Sequence, residues 1–243
     1  AANASNGGMI IGGFLVAAGL ALAGFFVGDG FLEGRKETRY VTVKGLAERQ
    51  VRADVANWPL RFTAAGNELS EVQAKIEADT AAISEFLTDG GVPAADVRPQ
   101  RLEVVDQLAQ QYRSGPIQGN RFIITQTVLV RSSKVDTVEA LSRQTGELVK
   151  RGVILSDMAG PRYSFTALND IKPAMIAEAT RNARDSAEQF AADSGSDVGA
   201  ILRANQGYFQ ILALVNDMYG QGEAGQADKV VRVVTTIDYL LED

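Results

Sequence analysis

The chain has 243 residues, of which 46% are hydrophobic and 22% charged, so it can bury a core and is not intrinsically disordered. Its net charge of −6, without any basic block, argues against nucleic-acid binding. It has no cysteine and no histidine, which excludes disulfides, thiolate nucleophiles, Cys/His zinc sites and any triad or general base built on histidine.

The first predicted element is an uncharged run of 20 residues, at positions 9–28. At ~1.5 Å per residue such a helix spans ~30 Å, which is the thickness of the hydrocarbon core of a bilayer. The run is longer than the apolar region of a signal peptide, and no basic residue precedes it. We therefore expect a single N-terminal transmembrane helix, with residues 1–34 forming the anchor and its juxtamembrane linker.

Small residues recur along this run at a spacing that lets two transmembrane helices approach closely. We expect them to pack against another copy of the helix, although glycine and alanine are also common in membrane helices for no such reason. The candidate packing residues are Gly13, Ala17, Ala21, Gly24 and Gly28.

The first half of the remaining body, residues 35–132, reads as a β-α-β-β module. Residues 40–44 and 51–65 read as strands, the first with alternating apolar and polar residues, and 97–108 and 122–131 read as two further strands. Apolar residues at helical spacing predict a helix between the second and third strands, over residues 69–87. Asn67 is the expected N-cap of that helix. Trp58 and Pro59 interrupt the second strand, and a proline there indicates a sheet edge or a bulge.

The second half, residues 133–243, repeats this pattern loosely. Ser133 and Asp136 resemble a capping box before a helix that ends near residue 151, and a strand is expected at 162–168. Asp170 is the expected cap of a third helix, which carries an alanine stripe. Strands at 201–214 and 230–241 close the chain. The predicted fold class is α+β, with antiparallel sheets and helices packed on one face.

Several stretches of the body resemble the SIMPL-domain family of bacterial envelope proteins. The resemblance covers residues 40–241, and no single stretch is diagnostic, but the order and spacing of all of them together are specific. The stretches are VTVKGLAE at 41–48, ADVA at 53–56, LTDGGV at 87–92 with Val97, FIITQTVLV at 122–130, and AEATRNARDSAEQFAADSGSDVGAI at 177–201.

The resemblance implies tandem β-α-β-β modules, export across the inner membrane, homo-oligomerisation into rings or cages, and an association with envelope or oxidative stress. It implies no catalytic residues. The basic residues after the anchor, Arg35, Lys36 and Arg39, would by themselves place the body in the cytoplasm. Because acidic residues are interleaved with them, we follow the resemblance and expect a single-pass inner-membrane protein with its body in the periplasm.

No catalytic constellation is visible, so we expect neither an enzyme nor a bound cofactor or metal. Phosphate-loop, dinucleotide and serine-hydrolase motifs are missing from the sequence. Asp185 and Glu188 are close together, but they fall on a face of the third helix that is expected to be solvated. Asp217, Glu223 and Asp228 lie in a glycine-rich loop whose spacing matches no known calcium-binding loop.

Aromatic residues next to loops are the candidate anchors of an interface, and we single out Trp58, Tyr112 and Tyr219. Phe122, Phe165 and Phe190 are expected in the core instead. The expected function is a self-assembling scaffold that contacts the lipid bilayer through its helix. The alternatives are an adaptor that recruits another membrane protein complex through its polar loops at 110–120 and 216–228, and a small-molecule binder with one apolar pocket.

Overall fold

The computed structural model describes residues 13, 17–27, 39–109, 119–157, 159–215 and 222–242. Its body contains ten strands and four α-helices among these residues. The strands are β1 (Tyr40–Arg52), β2 (Val55–Gly66), β3 (Val97–Pro99), β4 (Glu103–Asp106), β5 (Phe122–Ser132), β6 (Leu155–Asp157), β7 (Arg162–Ser164), β8 (Asp197–Gln206), β9 (Gln210–Ala213) and β10 (Asp228–Glu242). The helices are α1 (Leu69–Asp89), α2 (Val135–Ser142), α3 (Gly146–Lys150) and α4 (Leu168–Ser194).

The first and last strands of the body pair with each other in what we call the terminal sheet. β1 runs antiparallel to β10 along its whole length, from Tyr40 opposite Leu240 to Arg52 opposite Asp228. β8 and β9 follow one another along the other side of β10, both antiparallel to it. β10 is therefore the central strand, and β1 and the β8–β9 line are the two edges.

The long helix α4 packs on one face of the terminal sheet. The predicted alanine stripe is its buried face, where Ala179, Ala183 and Ala187 are fully buried against β1 and β10. Because alanine is small, the helix comes so close to β1 that Gly45 lies directly under its backbone. On the opposite face of the helix, the predicted pair of Arg184 and Glu188 forms at 2.9 Å.

The remaining six strands form a second sheet, the central sheet. β2 and β5 are antiparallel at its middle, and β3 and β4 extend it beyond β5, while β6 and β7 extend it beyond β2. The even-numbered residues of β2 from Ala56 to Ala64 point to one face, which α1, α2 and α3 cover. The largest side chains of this core are Trp58, Phe62, Ile76, Ile83, Leu87 and Leu148.

The α+β class with antiparallel sheets is confirmed, but the sheets do not follow the two halves of the sequence. β1 comes from the first half and joins the terminal sheet, whereas β6 and β7 come from the second half and join the central sheet. The reason is the short link of Ala53 and Asp54, which carries the chain from one sheet to the other directly after β1. The boundary expected at residue 132 is thus not a boundary between sheets.

Three of the predicted helix starts differ from the structure. Asn67 does not cap α1, because its side-chain oxygen accepts a hydrogen bond from the Arg121 N–H at 3.1 Å. α2 begins at Val135 without a side-chain cap, and Asp136 binds an arginine instead. α4 begins at Leu168, two residues before Asp170, and the Asp54 carboxylate accepts the N–H groups just ahead of it.

Three expectations about strands and core aromatics are also corrected. Residues 97–108 form two short strands rather than one, and the strand expected at 162–168 is only the three-residue β7. Phe190 is 59% exposed, so its assignment to the core is wrong. Phe122 and Phe165 do pack against core clusters.

The N-terminal run has helical backbone at residue 13 and at residues 17–27. The rest of the expected transmembrane helix lies outside the described residues. Within the part of the chain that the structure describes, no helix is both long enough and apolar enough to cross a membrane.

Candidate functional site

The structure corrects one of the three aromatic residues that we expected at an interface. Trp58 is 1% exposed and lies in the core of the central sheet, so its side chain cannot reach a partner. Its position in β2 explains this, because it shares the helix-covered face with Leu60 and Phe62. Tyr112 and Tyr219 lie outside the described residues.

The small residues of the N-terminal run are exposed within the chain. A Cβ atom at Gly13 or Gly24 would meet no atom within 4 Å, and Ala17 and Ala21 are exposed. Gly28 lies outside the described residues. Packing of this face against another copy of the helix stays a prediction.

An apolar surface that the sequence analysis did not single out lies along the edge of the terminal sheet. Ile201 and Leu202 of β8 are each 51% exposed, and Tyr208, in the turn after β8, is 95% exposed. Leu212 of β9 and Leu214 continue the surface. We call these five residues the β8 edge surface. The adjacent apolar pair Ile201 and Leu202 was its signal in the sequence. The pairing with β10 skips Leu202, so the alternation of faces is broken here and both side chains are half-exposed.

The backbone at this edge is free to pair with another strand. The N–H of Gly207 donates to the Val234 carbonyl at 2.9 Å, so residue 207 points towards β10. Because hydrogen-bonding direction alternates along a strand, Ala204 and Gln206 direct their N–H and C=O groups away from β10. Such unpaired groups on an apolar edge are a template for pairing with another chain.

The opposite edge of the sheet, β1, is better protected. Arg39 accepts a hydrogen bond from the Leu241 N–H at 2.9 Å, so the even-numbered residues of β1 point to the free edge. At this edge, Asn182 of α4 donates to the Leu46 carbonyl at 2.7 Å. Lys44 and Glu48 add charges, which are a common means of blocking an edge.

A cluster of charged side chains joins the terminal sheet to α2. It lies beside the link between the two sheets. Arg52, at the end of β1, binds Asp136 at 2.8 Å, Glu139 at 2.9 Å and Asp228 at 2.7 Å. These carboxylates raise the pKa of the Arg52 guanidinium, first through the hydrogen bond that Arg52 donates to Asp136. Within the described residues no group of acidic side chains is arranged to hold a metal ion, and here the arginine already occupies the centre of the cluster.

A buried lysine lies next to this cluster. The side chain of Lys229 is fully buried and forms an ion pair with the Glu223 carboxylate, and it also donates to the Glu223 carbonyl at 2.6 Å. The pair fixes the short helical turn Glu223–Gly225 to the start of β10. A lysine held in this way is not free to act as a nucleophile, so its role is structural.

Open space remains between these groups, in a polar cavity of about 430 Å³. Glu139 and Arg143 of α2, Tyr163 of β7 and Asp228 of β10 line it. Burial raises the pKa of the Tyr163 hydroxyl to about 12, and the charge of Glu139 adds to the effect. A proton donor with so high a pKa is a poor general acid or base near neutral pH.

The raised pKa of Tyr163 predicts a loss of stability at high pH. The hydroxyl must stay neutral in the folded protein, whereas in the unfolded chain it ionises near pH 10. Its contribution is therefore complete below pH 10 and is lost as the pH rises towards 12. We expect the urea midpoint of Tyr163→Phe to fall less between pH 9 and pH 11.5 than that of the original chain. Equal falls would show that Tyr163 ionises freely in the folded state.

Comparison with known proteins identifies the family but no curated relative. No curated protein matches the chain. The SIMPL family model, described as a protein of unknown function (DUF541), matches residues 41–236, which include all of the strands in the two sheets except Tyr40 of β1 and residues 237–242 of β10. Since this match covers most of the sequence, the chain belongs to the SIMPL family.

Proposed function

We propose that this chain is a membrane-anchored subunit of a homo-oligomeric ring or cage, a non-catalytic scaffold of the bacterial envelope. The observation that carries the proposal is the β8 edge surface, an exposed apolar strand with unpaired backbone groups. Two β8 strands from different copies, or β8 with the other edge of the sheet, can continue the sheet from one subunit into the next. Heterologous contacts of the second kind close into a ring when the rotation between neighbouring subunits completes a full turn, but they must displace the Asn182 side chain that protects the β1 edge.

The sequence supports the anchor in this proposal. The uncharged residues 9–28 are long enough to span an inner membrane, and their small residues suit close packing of helices. An anchored subunit also has a raised local concentration, so weak contacts along the edge are sufficient for assembly. The periplasmic location of the body follows from the family resemblance and is part of the same proposal.

The edge contact is tested by Ala204→Pro. Proline removes the N–H group that Ala204 directs away from β10, so it blocks pairing at the edge without removing a hydrogen bond inside the sheet. We expect mass photometry in mild detergent to show large, uniform particles for the original chain and small ones for this variant. Ala204→Ser, which keeps the N–H group, is the matched control and should assemble normally.

Removing residues 1–34 separates the two contacts in the proposal. If the shortened chain still forms large particles, contacts between the bodies close the assembly, and the helix only attaches it to the membrane. Monomers or dimers of both the original and the shortened chain would contradict the scaffold and favour the adaptor. A normal particle mass for Ala204→Pro would show that assembly does not use the β8 edge.

A further inference from the structure

The outer edge of the central sheet is interrupted opposite Pro59. β6 and β7 both pair with β2, with Asp157 opposite Arg61 and Arg162 opposite Asn57. Four residues separate Asp157 from Arg162, but only three separate Asn57 from Arg61, so this side of the ladder carries one extra residue opposite Pro59, as at a β-bulge. Pro59 lies at the centre of the interruption and has no N–H group to donate, which explains why the ladder breaks there.

The bulge opens space on the side of the sheet that the helices do not cover. A cavity of about 440 Å³ lies there, within the range of small-ligand sites. Its walls are mainly apolar and come from Pro59, Ala159, Pro161 and Ala224. The cavity shares Gly160 and Gly225 with the polar cavity beside Tyr163, so the two are neighbours around the same bulge.

Gly160 leaves the mouth of this cavity open. A Cβ atom there would meet no atom within 4 Å, and the backbone φ of Gly160 is not positive. Neither packing nor backbone conformation within the chain therefore requires glycine at this position. Glycine is also the residue that permits a ligand to approach the backbone closely, which is a role consistent with its place here.

One charged side chain lines the apolar cavity, and it is Arg162. Through its pairing with Asn57 it faces the same side of the sheet as Pro59. Within the described residues Arg162 makes no ion pair and no side-chain hydrogen bond, and no acidic side chain lines this cavity. An unpaired guanidinium beside apolar walls is suited to bind a planar carboxylate attached to an apolar body.

We propose that this cavity binds an amphipathic carboxylate, with the acid group on Arg162 and the apolar body against Pro59, Pro161 and Ala224. A free organic acid and the C-terminus of a peptide offer the same chemistry. The cavity opens on the face of the central sheet away from its core, so the ligand enters without any rearrangement of α1, α2 or α3. This site is independent of the β8 edge surface and of the assembly proposed above.

The test is isothermal titration calorimetry of the 243-residue chain with 4-phenylbutyrate and with its neutral amide. We expect the acid to bind and the amide to bind at least tenfold more weakly. Arg162→Gln should weaken binding of the acid at least tenfold, because the substitution removes a charge-assisted contact with the carboxylate. Arg203→Gln, on exposed β8, is the matched control and should bind normally.

Gly160→Leu should abolish binding by filling the mouth of the cavity, and its circular dichroism should match that of the original chain. If that variant does not fold, Arg162→Gln alone decides the result. A second pair of probes, acetyl-alanyl-phenylalanine and its C-terminal amide, distinguishes the two sources of the carboxylate. If the peptide acid binds, the ligand is the C-terminus of a peptide. If phenylbutyrate binds and the peptide acid does not, the ligand is a free organic acid. The proposal is overturned if neither acid binds, if amides bind equally well, or if Arg162→Gln binds normally.

Discussion

Replacing Gly45 by alanine should destabilise the protein by at least about 3 kcal/mol, the upper end of the penalty for overpacking a core. An added Cβ atom would lie 2.6 Å from the Ala183 nitrogen and closer still to the Ala179 carbonyl oxygen. Both are backbone atoms of α4, which cannot rotate away as a side chain would. The helix must lift from β1, and the alanine stripe then loses its contacts with the sheet. Urea unfolding followed by Trp58 fluorescence and circular dichroism measures the effect.

Gly160→Ala is the matched control for this substitution. Its Cβ atom meets no neighbour within 4 Å, so the same chemical change is free of any clash. We expect it to be neutral or to stabilise slightly, since alanine lowers the conformational entropy of the unfolded chain. If Gly45→Ala unfolded at the same urea concentration as Gly160→Ala, the close approach of α4 to β1 would be disproved.

Glu223→Ala should cost about 2 to 3 kcal/mol, far more than the loss of an ordinary surface ion pair. Lys229 is fully buried, so removing the carboxylate leaves a cation in the interior whose one remaining partner among the described residues is the Glu223 carbonyl. Breaking a buried pair by deleting one member is costly because the other charge stays desolvated. The measurement is the free energy of unfolding from urea titrations at pH 7.

Two further variants identify the cause of this effect. Glu147→Ala removes the carboxylate of an exposed pair with Lys150 and should change stability by less than about 0.5 kcal/mol. Lys229→Met replaces the buried cation by an apolar side chain of similar length, and adding it to Glu223→Ala should restore most of the lost stability. A double variant as unstable as Glu223→Ala alone would mean that the buried charge is not the cause.

The strongest sequence patterns correctly indicated two long strands and one buried helix face. The strands predicted at 122–131 and 230–241 are β5 and β10. The alanine stripe of the third predicted helix is the buried face of α4. These predictions succeed because the periods of strands and helices are local properties that the order of residues encodes directly.

The Trp58–Pro59 pair shows where local reasoning stops. Proline in β2 correctly signals an irregularity, but β2 is not itself an edge, and the bulge lies in the strand beside it. Trp58, which we singled out as an aromatic residue next to a loop, lies in the core. Trp58 is buried because β2 lies between β5 and the β6–β7 line. That position depends on the β6 and β7 residues, which are about 100 places further along the chain.

The candidate binding groups show the same division. No local feature of Gly160 or Arg162 marks them in the sequence. They line a cavity only because the fold brings them next to residues of β2 and of the turn before β10. The β8 edge surface likewise depends on α4, which covers β1 and leaves the far side of the sheet open.

The sequence by itself determined the α+β class, the alanine stripe that α4 buries, the family and the absence of cysteine and histidine chemistry. Tertiary structure alone decided that β1 pairs with β10, that β6 and β7 join β2, and which edge stays uncovered. The physical reason is that side-chain periodicity is set by neighbours in the chain, whereas strand partners are chosen by hydrogen bonds and packing between distant residues.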